Sequence, residues 1–261
     1  MDKRYLIVAG AFLVQGVVIG AVFSYGLYFA ELEAEFGWSR TLLSAATSLA
    51  FMSMGLMATF AGQATDRLGP RRVITVAALC TGLAYVLMYF LSAPWQLFVI
   101  YATLVAVGLA THDVVTLSTI ARWFPGRRGL MSGVVKVGTA VGQMLVPLLV
   151  VLLISTVGWR QSFLVLGVGA GALLLVAAWL MGVVPAENVL QHQQQSQGGS
   201  TFATARKSSS LWILCAIQFL AFSSLTTVPT HIVPHALDSG MLPAAAASLL
   251  TVIAFSSIAG R

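Results

Sequence analysis

Asp113, His112, Lys136 and Arg261 are ionisable residues set inside long apolar runs. In hydrocarbon such groups are costly, and they mark substrate or ion pathways by default. Asp113 precedes Arg122 by about as many residues as Lys136 follows Arg128. At about 1.5 Å of rise per residue, both lie ~12–14 Å from the same membrane edge. A short loop joins their two runs, so the runs are antiparallel neighbours with acid and base at matching depth. The spacing predicts an ion pair, or at least a shared polar site.

Ser132, Lys136, Thr139 and Gln143 fall on one face of a helix, while His112, Asp113 and Thr116 cluster on the preceding one. His112 titrates near neutrality in a water-filled cavity and can carry a proton there. A hydrogen-bonded core histidine is an equal reading. Tyr25 and Tyr28, with Gln15, are further candidates to face a cavity. The expected substrate-binding or coupling set is therefore Asp113, Lys136, His112, Arg261, Gln143 and Tyr25. The competing reading of the pair is a lock between two helices, since buried ion pairs are often not net stabilising. Arg261 has its own alternative, a basic residue nearing a helix end.

The elements that must position these residues are membrane helices. Hydrophobic residues make up 58% of the chain and charged residues only 8%, with mean hydropathy +0.91. A soluble domain carries about 25% charged residues, so lipid is the expected solvent. The net charge of +6 comes from basic residues placed singly or in pairs between apolar runs. That pattern argues against a nucleic-acid partner. Cys80 and Cys215 lie inside apolar runs and offer neither a disulfide framework nor a CxxC metal site. His231 and His235 stand one turn apart, a spacing compatible with a metal, but the expected reading is structural, with no metal site. No cofactor is expected. Motifs of the forms GxxxxGK[ST], GxSxG and HExxH are absent from the sequence, so an ATP-driven protein or an intramembrane enzyme is not the expectation.

Eight apolar runs are long enough to span a bilayer, at roughly 5–30, 41–64, 73–92, 95–121, 129–154, 160–184, 211–235 and 243–261. The first is too long for the apolar core of a signal peptide and reads as a retained helix. Pro94 fits a helix start. With the N-terminus inside, cytoplasmic segments hold Lys3, Arg4, Arg67, Arg71, Arg72, Arg122, Arg127, Arg128, Arg206 and Lys207, against Arg40 and Arg160 outside. The positive-inside rule therefore predicts a cytoplasmic N-terminus. Glu31, Glu33 and Glu35 fall in the expected first outer loop.

A polar, Gln-rich stretch without an apolar face reads as a linker. The expected organisation is a six-helix bundle over 1–185, a cytoplasmic linker over 186–210, and the start of a second bundle over 211–261. Setting Gly240 on Gly37 also sets Ser256 on Ser53, a faint internal repeat. The same register sets Arg261 on Ala58, so the eighth helix is expected to be incomplete and the sequence to be the first two-thirds of a longer protein.

The loop after the second run reads Gly62-Gln63-Ala64-Thr65-Asp66-Arg67-Leu68-Gly69-Pro70-Arg71-Arg72. It resembles the GxxxDRxGxR signature of the major facilitator superfamily. Physically, Gly69 and Pro70 make a tight turn, and Asp66 can join the arginines in a charge network that latches one state of a rocking protein. The blander reading is a basic loop with one stray acid. Gly62, Asp66, Arg67, Gly69, Arg71, Arg72 and Arg122 form the expected gating set.

Three segments are similar to the branch containing monocarboxylate transporters and oxalate/formate antiporters. They are Phe36-Gly37-Trp38-Ser39-Arg40, the stretch from Ala121 to Gly129, and Gly158-Trp159-Arg160. His231-Ile232-Val233-Pro234-His235 joins them. The resemblance implies an all-α membrane bundle in which helices 1, 2, 4 and 5 line a cavity and helices 3 and 6 lie outside. It also implies alternating access at the bilayer midplane. Arg261 matches the place where those relatives put a substrate-binding arginine, and a guanidinium can hold a carboxylate bidentately. Ser257 stands where monocarboxylate transporters carry a coupling aspartate, and helix 5 lacks the full GxxxGPxxGG antiporter signature.

The expected function is secondary active transport of a small organic anion, a mono- or dicarboxylate. The expected partners are that substrate, a co-transported ion and the lipid of a cell (plasma or inner) membrane. The alternatives are a non-transporting membrane receptor or sensor, or an inactive truncated fragment with the same fold.

Overall fold

A computed structural model describes residues 3–182 and 206–241, together with Leu249, Val252, Ser256 and Gly260. Among the described residues the regular structure is helical, without strands. Six helices among the described residues are long and apolar enough to cross a membrane, so the protein is a multi-pass membrane protein.

The first span, α1, is Lys3–Ser24, continued by a 3-10 turn at Tyr25–Tyr28 and a further helical stretch, Phe29–Phe36. The glutamates expected in an outer loop therefore ride on a helical extension. It ends only at Gly37, whose φ of 68° is the left-handed conformation that glycine adopts without strain. The second span, α2, is Arg40–Leu68, capped by the Ser39 hydroxyl, which accepts from the Leu42 N–H at 3.3 Å. At Gly69 the chain turns with φ 81°, and Pro70 opens α3, Pro70–Met88.

Pro94 opens α4, as its position predicts. The Gln96 carboxamide oxygen accepts from the backbone N–H groups of Ser92 and Ala93 at 2.8 and 3.1 Å. This span is Pro94–Ile100, a π-turn at Tyr101–Val105, then Ala106–Trp123. After a 3-10 turn come α5, Arg128–Val157, and α6, Trp159–Leu180.

These spans pair in the bundle as α1 with α5, α3 with α6 and α2 with α4. Small residues set the approach. A Cβ at Gly142 would overlap the Gly16 carbonyl, and one at Gly138 the carbonyl of Phe12. The GxxxG spacings of α1 and α5 thus face one another. On the opposite side, a Cβ at Gly82 would lie 3.1 Å from the Gly171 Cα. The most buried span is α1, while α2 and α5 keep most of their apolar surface exposed.

The chain divides into two compact units, Met1–Asn188 and Val189–Arg261. In the second, α7 is Ser209–Asp238, and the Trp212 indole N–H donates to the Arg206 carbonyl at 2.9 Å. Most of the expected linker and of the eighth run, Arg261 included, lies outside the described residues, as do the side chains of His231 and His235.

Candidate functional site

The polar site is assembled by three spans of otherwise apolar character. Lys136 Nζ on α5 lies 2.5 Å from Asp113 Oδ1 on α4. The remaining Asp113 oxygen stands 3.5 Å from His112 Nε2. Both members of the pair are half-buried, with side chains 42% and 32% exposed for Asp113 and Lys136. His112 is buried, and its Nδ1 meets the Leu109 carbonyl at 2.5 Å.

Gln15 of α1 ties the three helices together. Its amide nitrogen lies 2.8 Å from Asp113 Oδ1, 2.9 Å from Thr116 Oγ1 and 3.1 Å from the His112 carbonyl. Its amide oxygen accepts from Thr139 Oγ1 of α5 at 2.8 Å. The side chain is fully buried, and a buried amide without such partners would be costly. Donors at one end and an acceptor at the other fix the rotation of α1 against α4 and α5. The Thr116 hydroxyl also donates to the His112 carbonyl one turn back.

Of the residues expected at the site, the structure thus brings Asp113, Lys136 and His112 together. Gln143 lies on the same α5 face, half-buried and without a side-chain hydrogen bond among the described residues. Tyr25 stands apart. It is buried among aromatic rings, its ring centroid 4.7 Å from that of Tyr101 and 5.0 Å from that of Phe29. Its hydroxyl donates to the Leu43 carbonyl at 3.4 Å. Ten residues of helix separate it from Gln15, about 15 Å along the axis, so it does not reach the pair. Tyrosine has an apolar body, and its presence in a membrane helix does not by itself mark a cavity.

A second charged cluster sits where α2 and α4 end. Arg122 Nη2 pairs with Asp66 Oδ1. Arg67, Arg71 and Arg72, which the sequence also offers as partners for Asp66, are exposed and hold no ion pair among the described residues. The signature glycines act through space and backbone. A Cβ at Gly62 would lie 3.4 Å from Val114 Cγ1 of α4, and Gly69 supplies the turn.

A third cluster was not anticipated. Arg160, opening α6, donates to Glu35 Oε1 at 2.6 Å and to the Tyr89 and Leu91 carbonyls at 2.8 and 3.3 Å. The Trp159 indole donates to the other Glu35 oxygen at 2.7 Å. The guanidinium lies 4.4 Å from the Trp159 ring centroid, a cation–π geometry. This clamp joins the ends of α1, α3 and α6. Three acids beside the only two basic residues of the expected outer loops were the available signal. Arg160→Ala is expected to lower the melting temperature of the detergent-solubilised protein more than Glu35→Gln does, because it also strips two carbonyls of their donor. A thermal-shift assay on both variants checks the order.

A model of the Major Facilitator Superfamily matches residues 11–261. Monocarboxylate transporter 13 of Rattus norvegicus is 27% identical, over 98% of this chain and 59% of its own length. Monocarboxylate transporter 11 of Homo sapiens is 28% identical, over 98% of this chain and 54% of its own. An uncharacterised MFS-type transporter of Escherichia coli is 24% identical, over 99% and 64%. The chain thus spans less than two-thirds of the length of these curated relatives. The inward-open xylose transporter XylE from E. coli superposes with a TM-score of 0.56 at 18% identity, over 92% of this chain and 56% of that one. At that identity the likeness concerns the fold alone.

Proposed function

The chain belongs to the major facilitator superfamily, and from that premise we propose that it carries a small organic anion, a mono- or dicarboxylate, across a cell membrane by alternating access. Membership and the transporter relatives support transport of a small molecule. The observation that carries the finer reading is the Lys136–Asp113 pair held by Gln15. A carboxylate entering the site competes with Asp113 for Lys136. A proton taken up by Asp113, passed through the adjoining His112, weakens the pair and releases the ammonium to the substrate. Two similar relatives bear the name monocarboxylate transporter, which agrees with an anion. Arg261, which lies outside the described residues, is in this reading a second cation for a carboxylate. Gln143 extends the polar face along α5.

In this reading 1–185 forms the first bundle, 186–210 a cytoplasmic linker and 211–261 the start of the second bundle. The N-terminus faces the cytoplasm of a plasma or inner membrane. The loop carrying Gly62, Asp66, Arg67, Gly69, Arg71 and Arg72 then lies at the inner surface, where the Asp66–Arg122 pair latches one state. An exposed pair is worth about 1 kcal/mol at most. Asp66→Asn or Arg122→Gln should therefore change exchange rates by no more than about fivefold, and the charge swap should recover most of the loss.

Counterflow in proteoliposomes tests the reading. Vesicles preloaded with an unlabelled short-chain mono- or dicarboxylate should draw in the labelled compound faster than protein-free vesicles. Saturable carboxylate binding without exchange would favour a receptor. Exchange of neutral sugars or amines, with none of carboxylates, would remove the anion from the proposal.

A further inference from the structure

We propose that a groove between α2, α3 and α4 binds one anionic phospholipid at the arginine-bearing end of the bundle. The proposal rests on membrane residence and not on the substrate reading.

The groove has two chemically different parts. The apolar cavity holds about 330 Å³ and is lined almost wholly by apolar side chains, among them Met57, Phe60, Ala64, Val73 and Val107, together with Arg72. Its neighbour holds about 660 Å³ and is lined by Gly69, Pro70, Arg71, Arg72 and Thr75. The two share Leu68, Arg72 and Val76, so an apolar channel opens directly into a cationic mouth.

The mouth has unused positive charge. Arg71 and Arg72 are exposed and hold no ion pair among the described residues. Asp66, the acid of the same loop, is committed to Arg122. Pro70 is the first residue of α3, so the next backbone N–H groups, those of Arg71 and Arg72, lack acceptors one turn back in the helix. The positive end of the helix dipole adds to both guanidinium charges. An anionic, multiply accepting group complements this mouth.

The length of the apolar part selects a lipid over a soluble anion. Its α2 wall runs from Met57 to Leu68, about 16 Å along the helix axis. That is about half of a hydrocarbon core of ~30 Å, which is the depth of one leaflet. A soluble phosphate would use the mouth and leave the channel empty. An acyl chain fills the channel while its headgroup meets the arginines. Basic pockets between membrane helices bind anionic headgroups for the same reason.

Native mass spectrometry of the detergent-solubilised chain tests this, titrated with dioleoyl phosphatidylglycerol or dioleoyl phosphatidylcholine. One phosphatidylglycerol should bind in clear preference to phosphatidylcholine. The double variant Arg71→Gln/Arg72→Gln should weaken phosphatidylglycerol roughly 30-fold. Ala64→Trp, which fills the channel and leaves both charges in place, should weaken it as well. Should that variant fail to elute as a monodisperse species, Val76→Trp at the exposed junction of the two cavities replaces it. Equal binding of the two lipids overturns the proposal, as does an unchanged affinity in either class of variant. Displacement of phosphatidylglycerol by millimolar inorganic phosphate also overturns it, since the occupant would then be a soluble anion.

Discussion

Asp113→Asn and Lys136→Gln are each expected to abolish carboxylate counterflow while leaving a folded protein. The two side chains touch at 2.5 Å, and each is partly open to solvent. Removing one partner of a fully buried pair costs about 3–5 kcal/mol. Here the loss is smaller, because water still reaches the remaining charge. Folding should therefore survive, with a lowered melting temperature, and the transport defect should not be a by-product of misfolding. The double exchange Asp113→Lys/Lys136→Asp separates the two roles. Recovery of thermal stability without counterflow assigns the pair to substrate or proton handling. Recovery of both would make it a lock between α4 and α5. Normal counterflow in every variant would remove the pair from the mechanism.

Gly142→Leu should prevent assembly of the bundle. Even a methyl group there overlaps the Gly16 carbonyl, and backbone cannot give way as a flexible side chain can. Overpacking a core costs about 1–3 kcal/mol in ordinary cases, and the branched side chain would also force α1 away from α5, undoing the Gln15 contacts with Thr139. Size-exclusion profiles of a fluorescent fusion should show loss of the monodisperse peak for Gly142→Leu and a reduced peak for Gly142→Ala. Gly55, also mid-helix, has nothing within 4 Å of a Cβ. Gly55→Ala should leave the profile unchanged or improve it, because alanine is the better helix former. Equal tolerance at both positions would contradict the close approach of the two backbones.

The helices were legible in the sequence because the spans are long and apolar and their ends carry strong stop signals. Pro94 opens a helix where expected, Pro70 opens one where only a tight turn with Gly69 was expected, and Gly37, Gly69 and Gly158 take positive φ at the junctions. The end of α1 was misread, because three glutamates resemble a loop when the bonds that two of them make, Glu35 with Arg160 and Glu33 with Arg40, are unseen. Matching depth was enough to juxtapose Asp113 and Lys136, since it needs only helical rise and a short connection. The central place of Gln15 was less legible. It depends on how far α1 is rotated about its own axis, which is set by the close approach of Gly16 and Gly20 to Gly142 of α5 and not by hydropathy. The partner of Asp66 is 56 residues away in the chain, and neighbouring arginines in the same loop compete with it on paper.

The pairing of Asp113 with Lys136 also bears on how the protein enters the bilayer. The acid is synthesised first, and an aspartate at the centre of a helix raises the insertion cost by about 2.5–3.5 kcal/mol. The base follows 23 residues later, in the next span, and carries a similar cost when it inserts alone. Inserted together as a hairpin, each charge meets its partner before facing lipid. The fourth and fifth spans therefore behave as one unit of membrane integration, although hydropathy alone would let either enter by itself.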